Sequence, residues 1–391
     1  MRSLPELAGQ VAAAGWTLHF DVSPLFDQHW TGIPRVAAGL AETLLDVLPD
    51  RTAFFFRQDL VATDAVRDAL ARESGLYLER DFQQGHARAG PVPLPTRYTQ
   101  GAGIYPSVKL VKALFPVECS IYHDISTLLL PQYHTLDNIR HHLAGLVEDI
   151  RTNAVTFGVS QATVDDLVAY LGAREDQVFV AGNGVSWPWW FPVQLGNERP
   201  AFGGDSYWLV LGTREPRKNL TRVFEAIQLF PEIVERSRLV FVGKSGWLAD
   251  RQAVPDGLGE LVARGRMVFT GYVSSYEKYR LLAGADATIY PSLFEGFGLP
   301  VLESLSVGTP CVASWSSAMP EVGGDACRYF DPLSAEDLGL AISRLQLDNP
   351  KRSPGYAALC KAISSRFSWP EMLRTMLGQL IPVLNSAGSR Y

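Results

Sequence analysis

Residues 289–314 read IYPSLFEGFGLPVLESLSVGTPCVAS, and the order of apolar runs and small residues in them decides the fold class. ATIYPS is a short apolar strand, EGFG a turn, PVLESLSV a helix and PCVAS the strand that follows. Pro300 suits the first helical turn, where a missing N–H costs nothing, and Gly308 suits the C-terminal cap. A strand, a tight turn, a helix and a further strand make the repeating unit of a parallel α/β sheet.

The same alternation extends in both directions. YWLVLG, RLVFVGK and RMVFTGY precede this stretch as strands, with a helix from about Leu220. Further upstream, WTLHFDVS, TAFFFR, CSIYHDI, NAVTFGVS and VFVAGNG form a second series. TGIPRVAAGLAETLLDVL has helical periodicity with Pro34 near its start, and Ser160 stands where an N-cap belongs. The chain is therefore expected to form two Rossmann-like, doubly wound parallel-sheet α/β domains facing a cleft, with ligands at the C-terminal ends of the strands. The expected limits are residues 1–190, a linker over 191–206, a second domain over 207–370, and a terminal helix over 371–391 that crosses back to the first. Residues 85–106, rich in Gly and Pro, read as one long loop.

Composition fits this architecture. With 391 residues and 47% apolar content, the chain has material for two cores. Its net charge of −6 argues against a nucleic-acid partner. The four cysteines have no C-x-x-C spacing, which suits reduced, mostly buried thiols in a cytoplasmic protein without a structural metal. No signal peptide or bilayer-spanning run is apparent. LVKALF around Lys112 leaves peripheral contact with a membrane surface open, against the plainer reading of a helix with a solvated lysine.

Glu295 and Glu303 flank the turn, and the helix that opens beside it offers backbone N–H groups and the positive end of a dipole to an anion. A carboxylate accepts from vicinal hydroxyls, so a ribose or sugar joined to a phosphate is a fitting ligand. Alternatively, Glu303 only complements the dipole and Glu295 only caps the turn. GTREPRKNL places Arg214, Arg217 and Lys218 just after a strand, as phosphate ligands or as a solvated charge run. No D-x-D is present to hold a divalent cation beside a diphosphate, and no G-x-G-x-x-G follows the first strand. Cationic side chains and a helix dipole can neutralise a leaving diphosphate in a metal's place.

The segments GTREPRKNL, FVGKSGW, FTGYVS, PSLFEGFGLPVLESLSVGTPCVAS and SSAMPEVGGDA together resemble the retaining family-4 glycosyltransferases, which have the GT-B fold, and most closely bacterial mannosyltransferase-like enzymes of surface-polysaccharide assembly. The resemblance implies a nucleotide-diphosphate sugar donor, with GDP-mannose ahead of UDP- and dTDP-sugars, a glycan or lipid-linked acceptor, and no cofactor; the alternative is a non-catalytic sugar-nucleotide-binding protein, which would lack the sugar-side residues. It implies that Glu303 holds the donor ribose, that Glu295 contacts the transferred sugar, and that Gly296, Phe297, Gly298 and Leu299 offer backbone N–H groups. Lys218 and Arg217 would neutralise the diphosphate, and Tyr272 and Val273 would border the base. Gly212, Thr213, Gly243 and Lys244 would complete the donor site. In the first half, Thr31, Gly32 and Arg35 match an acceptor-side loop, and His123 matches a histidine close to the donor sugar. Many relatives have an apolar residue where Arg214 stands. His134, His141 and His142 have no counterpart and are expected to face solvent. The tail near Trp369 resembles a helix that returns to the first domain.

Overall fold

The computed structural model describes residues 2–89, 101–196, 198, 201–246 and 253–388. The chain divides into two compact units: Met1–Ile125, His141–Gly184 and Phe367–Tyr391 form the first, Ser126–Arg140 and Val185–Arg366 the second.

The first unit holds a seven-stranded sheet. Its strands are β1 (Thr17–Asp21), β2 (Thr52–Phe56), β3 (Asp59–Val61), β4 (Gly101–Tyr105), β5 (Val117–Tyr122), β6 (Val155–Gly158) and β7 (Val178–Val180), in the order β3-β2-β1-β4-β5-β6-β7. All neighbours run parallel except β2 and β3, an edge hairpin that the sequence reading does not anticipate. The chain winds outward from β1 in one direction, then in the other, so the switch point lies between β1 and β4.

The second unit holds six strands: β8 (Tyr207–Leu211), β9 (Arg238–Val242), β10 (Met267–Gly271), β11 (Ala287–Tyr290), β12 (Cys311–Ser314) and β13 (Cys327–Phe330), ordered β10-β9-β8-β11-β12-β13. Every pair is parallel. Trp208 and Val210 join one core with Phe224, Phe241 and Leu338. Tyr207, Leu209 and Leu211 join another with Val240 and Leu281. Both faces of β8 are covered, which is why YWLVL is apolar throughout instead of alternating. Here the switch point lies between β8 and β11.

Several local expectations are met. Ser160 accepts from the Thr163 amide and caps the helix Gln161–Leu171. Helices span Ile33–Val47 with Pro34 at its start, Leu220–Leu229, and Leu299–Ser306. Others need correction. Residues 85–106 do not form one loop: Gly75–Ala89 is helical and Gly101–Tyr105 is a central strand, while 90–100 lie outside the described residues. GAGIY has little β-branched content, but Gly103 is required there, because a Cβ would lie 2.5 Å from the Phe115 ring. The stretch 191–206, read as irregular, includes most of the helix Trp190–Leu195 and a 3₁₀ turn over Ala201–Gly204. LVKALF is not helical, and Lys112 pairs with Glu148 at 2.7 Å and Asp149 at 3.2 Å, so the expected helix with a solvated lysine does not form. His134 is buried, not solvated, with Nδ1 2.9 Å from Asn138.

The terminal helix Trp369–Gly388 packs in the first unit against Leu4–Ala13 and Ile33–Val47. Two glycines admit its first residue: a Cβ on Gly39 would lie 2.3 Å from the Trp369 ring, and one on Gly184 would lie 2.3 Å from the Trp369 nitrogen. Gly39→Ala should therefore destabilise the chain by about 1–3 kcal/mol through overpacking, despite alanine's better helix propensity. Urea unfolding checks this, with an unchanged or raised midpoint as the contrary result.

Candidate sugar-nucleotide site

In the second unit, the loops that follow β8 and β11 meet at the switch point. After β8, Pro216–Lys218 makes one 3₁₀ turn that ends at Asn219, whose φ of 57° is left-handed. Asn219 Nδ2 donates to the carbonyls of Pro291 at 3.0 Å and Pro332 at 2.9 Å. The Leu293 amide donates to the Arg217 carbonyl at 2.9 Å. These bonds lock the cationic turn to the strand–turn–helix stretch and bring Arg217 and Lys218 against Glu295.

Lys218 Nζ donates to Glu295 Oε1 at 2.6 Å and to the Tyr290 hydroxyl at 2.9 Å. Arg217 Nη1 lies 3.2 Å from the same carboxylate oxygen and donates to the Phe294 carbonyl at 2.6 Å, while Nη2 donates to the buried Glu215 at 3.0 Å. Burial alone would raise the Glu295 carboxyl, but Arg217 and Lys218 together outweigh it and hold the group at about 2. Burial would likewise lower Lys218, and Glu295 reverses this so that the ammonium is held above its ordinary value. Two cations thus surround the Glu295 carboxylate, and Arg217 is shared with Glu215.

Because the Glu295 value falls from 4.5 to about 2 on folding, its stabilisation is complete above pH 4.5 and is lost as pH falls toward 2. That corresponds to roughly 3 kcal/mol. Glu295→Gln should accordingly be less stable than wild type at pH 6, with the difference shrinking by pH 3. Denaturant unfolding at the two values checks it; a constant difference would mean that the carboxylate charge is not what stabilises the turn.

Gly298 has a φ of 96° and caps the helix Leu299–Ser306, with Pro300 in its first turn. The amides of Val301 and Leu302 return to the Gly298 carbonyl. The helix dipole therefore begins at the glycine pair beside Glu295. From the loop after β12, Ser316 Oγ donates to the Leu293 carbonyl and Ser317 Oγ to the Glu295 carbonyl, both at 2.6 Å.

Glu303 belongs to a separate set of contacts. It forms an ion pair with Lys278, which lies 5.4 Å from the centre of the Trp187 ring. Trp187 Nε1 donates to Ser306 at 2.8 Å, and Ser306 Oγ to the Glu303 carbonyl at 2.7 Å. Gly212 (φ 140°) and Gly243 (φ 152°) end β8 and β9 so closely that a Cβ on Gly243 would lie 2.0 Å from the Gly212 oxygen. Thr213 follows in the same loop, beside Gly246. Lys244 and Tyr272 are exposed, and Val273 packs partly into the core. Arg214 contacts Ser245 and lies 5.5 Å from the Phe269 ring centre.

In the first unit, His123 Nε2 donates to the Pro106 carbonyl at 2.7 Å, and burial holds the imidazole below its ordinary value, hence neutral. Thr31 and Gly32 are exposed before the helix Ile33–Val47. Arg35, expected on the acceptor side, makes a two-pronged ion pair with Glu73 at 3.0 and 2.9 Å.

The sequence reading misses Tyr290, Glu215 and Lys278. Tyr290 immediately precedes the PSLFEG segment and was within reach of it; Glu215 and Lys278 are recognisable only from their partners in space. Among the described residues, no group of three or more His, Cys, Asp or Glu side chains could hold a metal ion.

Residues 197–355 match the family model for glycosyl transferases group 1. The chain is 32% identical over 261 residues to O-antigen chain mannosyltransferase B of Escherichia coli, covering 63% of this chain and 66% of that one. It is 36% identical over 303 residues to the MMP alpha-(1->4)-mannosyltransferase of Mycolicibacterium hassiacum, covering 72% and 68%. The chain thus spans about two thirds of the length of either relative. Among solved structures, Anabaena Alr3699/HepE in complex with UDP and glucose superimposes with a TM-score of 0.63 at 16% identity, over 93% of this chain and 99% of that one, a likeness of the two-unit GT-B fold.

Proposed function

Since the chain belongs to the group 1 glycosyltransferases, we propose that it transfers mannose, with retention of anomeric configuration, from GDP-mannose to a glycan or lipid-linked glycan during surface-polysaccharide assembly at the cytoplasmic face of the membrane. The observation that carries the transferase reading is the Lys218–Glu295–Arg217 cluster beside the N-terminus of Leu299–Ser306. The choice of mannose rests on the two mannosyltransferases to which the chain is similar.

In this reading the donor diphosphate lies against the helix N-terminus and draws the Lys218 ammonium and Arg217 guanidinium toward it. Glu295, released in part from Lys218, faces the positive charge that develops at the anomeric carbon. Glu303 exchanges Lys278 for the ribose hydroxyls. His123, with Nε2 committed to Pro106, keeps Nδ1 to accept from a hydroxyl of the donor sugar. The bond from the anomeric carbon to the diphosphate breaks, and the acceptor oxygen bonds to that carbon from the same face. The acceptor's proton passes to the departing phosphate oxygen. Stabilising that leaving group is the main demand of such a step, and fixed cations with a helix dipole meet it without a metal ion.

A thermal-shift titration with GDP, UDP, dTDP and ADP in EDTA tests the donor site. A nucleotide at a hundred times its Kd adds about 2.7 kcal/mol of stability. GDP should give the largest shift; a larger one from UDP or dTDP would replace the proposed donor, and none from any nucleotide would contradict the site.

A further inference from the structure

Asp21 is the last residue of β1, at the switch point of the first unit, where strand order reverses between β1 and β4. Open parallel sheets bind ligands at such a point, outside the carboxyl ends of the strands. The side chain is 2% exposed. Both of its hydrogen bonds come from Ser23, the amide at 3.0 Å and the hydroxyl at 2.5 Å, and both go to Oδ1. Among the described residues nothing donates to Oδ2. Oδ2 is not fully buried, so this largely buried carboxylate keeps one oxygen open to a partner from solvent, and no cation among the described residues lies against it. Its neighbours supply none. Tyr105, at the end of β4, gives its hydroxyl to Glu118 at 3.0 Å. His19, two residues back on the same face of β1, is stacked 4.6 Å from Phe115, and burial holds it down at about 4, so it is neutral. Burial holds the Asp21 carboxyl up at about 6, against the pull of Ser23, so it is mostly ionised at neutral pH.

We propose that Asp21 binds the acceptor sugar: Oδ2 takes a hydrogen bond from an acceptor hydroxyl at the crevice between β1 and β4. A neutral polyol is the ligand class that suits an anionic acceptor of hydrogen bonds, whereas a phosphate would be repelled. The inference rests on the transferase reading and adds an acceptor contact to it. A part confined to the turn would need only Oδ1, which asparagine also provides.

The test compares Asp21→Asn with wild type, using radiolabelled GDP-mannose and octyl α-mannoside with a small panel of mannobiosides. The variant's acceptor KM should rise about tenfold or more, the cost of one charge-assisted hydrogen bond. Its donor KM and slow donor hydrolysis should stay within about twofold. Its Tm at pH 7.5 should equal or exceed that of wild type. The sign follows from the raised carboxyl: the cost of ionising it in the fold is absent below its ordinary 3.8 and complete above about 6, and asparagine removes it. An unchanged acceptor KM, an equal rise in donor KM, or a variant that no longer folds would each overturn the role of Asp21. A wild-type protein that transfers to none of the mannosides would instead count against the transferase reading, and the inference would fall with it.

Discussion

Lys218→Ala should lower the turnover of sugar transfer by about 10²–10³-fold, the effect of removing one fixed donor that meets developing charge. Lys218 is held in place by Glu295 at 2.6 Å and by Tyr290 at 2.9 Å, so no rotamer search precedes its encounter with the diphosphate. The fold should survive the change. Glu295 keeps Arg217 at 3.2 Å, and Asn219 still ties the turn to Pro291 and Pro332. Affinity for the nucleotide should fall less than turnover, because negative charge on the leaving diphosphate grows in the transition state and the ammonium is worth most there. Steady-state kinetics together with nucleotide binding checks this. Transfer near the wild-type rate would remove Lys218 from the chemistry; an equal loss of nucleotide binding and turnover would make it a ground-state contact.

Glu303→Ala should weaken nucleotide binding by about 1.5–3 kcal/mol, roughly ten- to a hundredfold, as charge-assisted bonds to the ribose are lost. Lys278 complicates the interpretation, since it is the partner of Glu303 and also lies over Trp187. Comparing GDP with its 2′,3′-dideoxy analogue isolates the ribose contact, in the manner of a double-mutant cycle. Wild type should prefer GDP clearly, and the variant should bind both alike. A variant that retains the preference would mean that Glu303 serves only to hold Lys278.

The strand–EGFG–helix stretch is legible in sequence because each of its signals is local. A proline suits the first turn, a glycine supplies the left-handed cap at Gly298, and an apolar run leads in. The cations are legible as a run after a strand; their union with Glu295 depends on the hydrogen bonds of Asn219, between residues 72 and 113 positions apart. Strand β4 is hidden because Gly103 serves the close approach of Phe115, a need that only packing reveals. Arg35 belongs to the expected acceptor-side loop, and its ion pair with Glu73 at the end of another helix is visible only in three dimensions. Asp21 lies in a strand that is easy to read, yet its incomplete hydrogen bonding is visible only in three dimensions.

A proton NMR time course tests the proposed transfer with retention of configuration most directly. The protein would be mixed with GDP-mannose and octyl α-mannoside in EDTA, and the anomeric signal of the transferred sugar followed. A growing α-linked mannosyl signal matched by release of GDP is the expected result. A β-linked product, or release of GDP with free mannose alone, would contradict it.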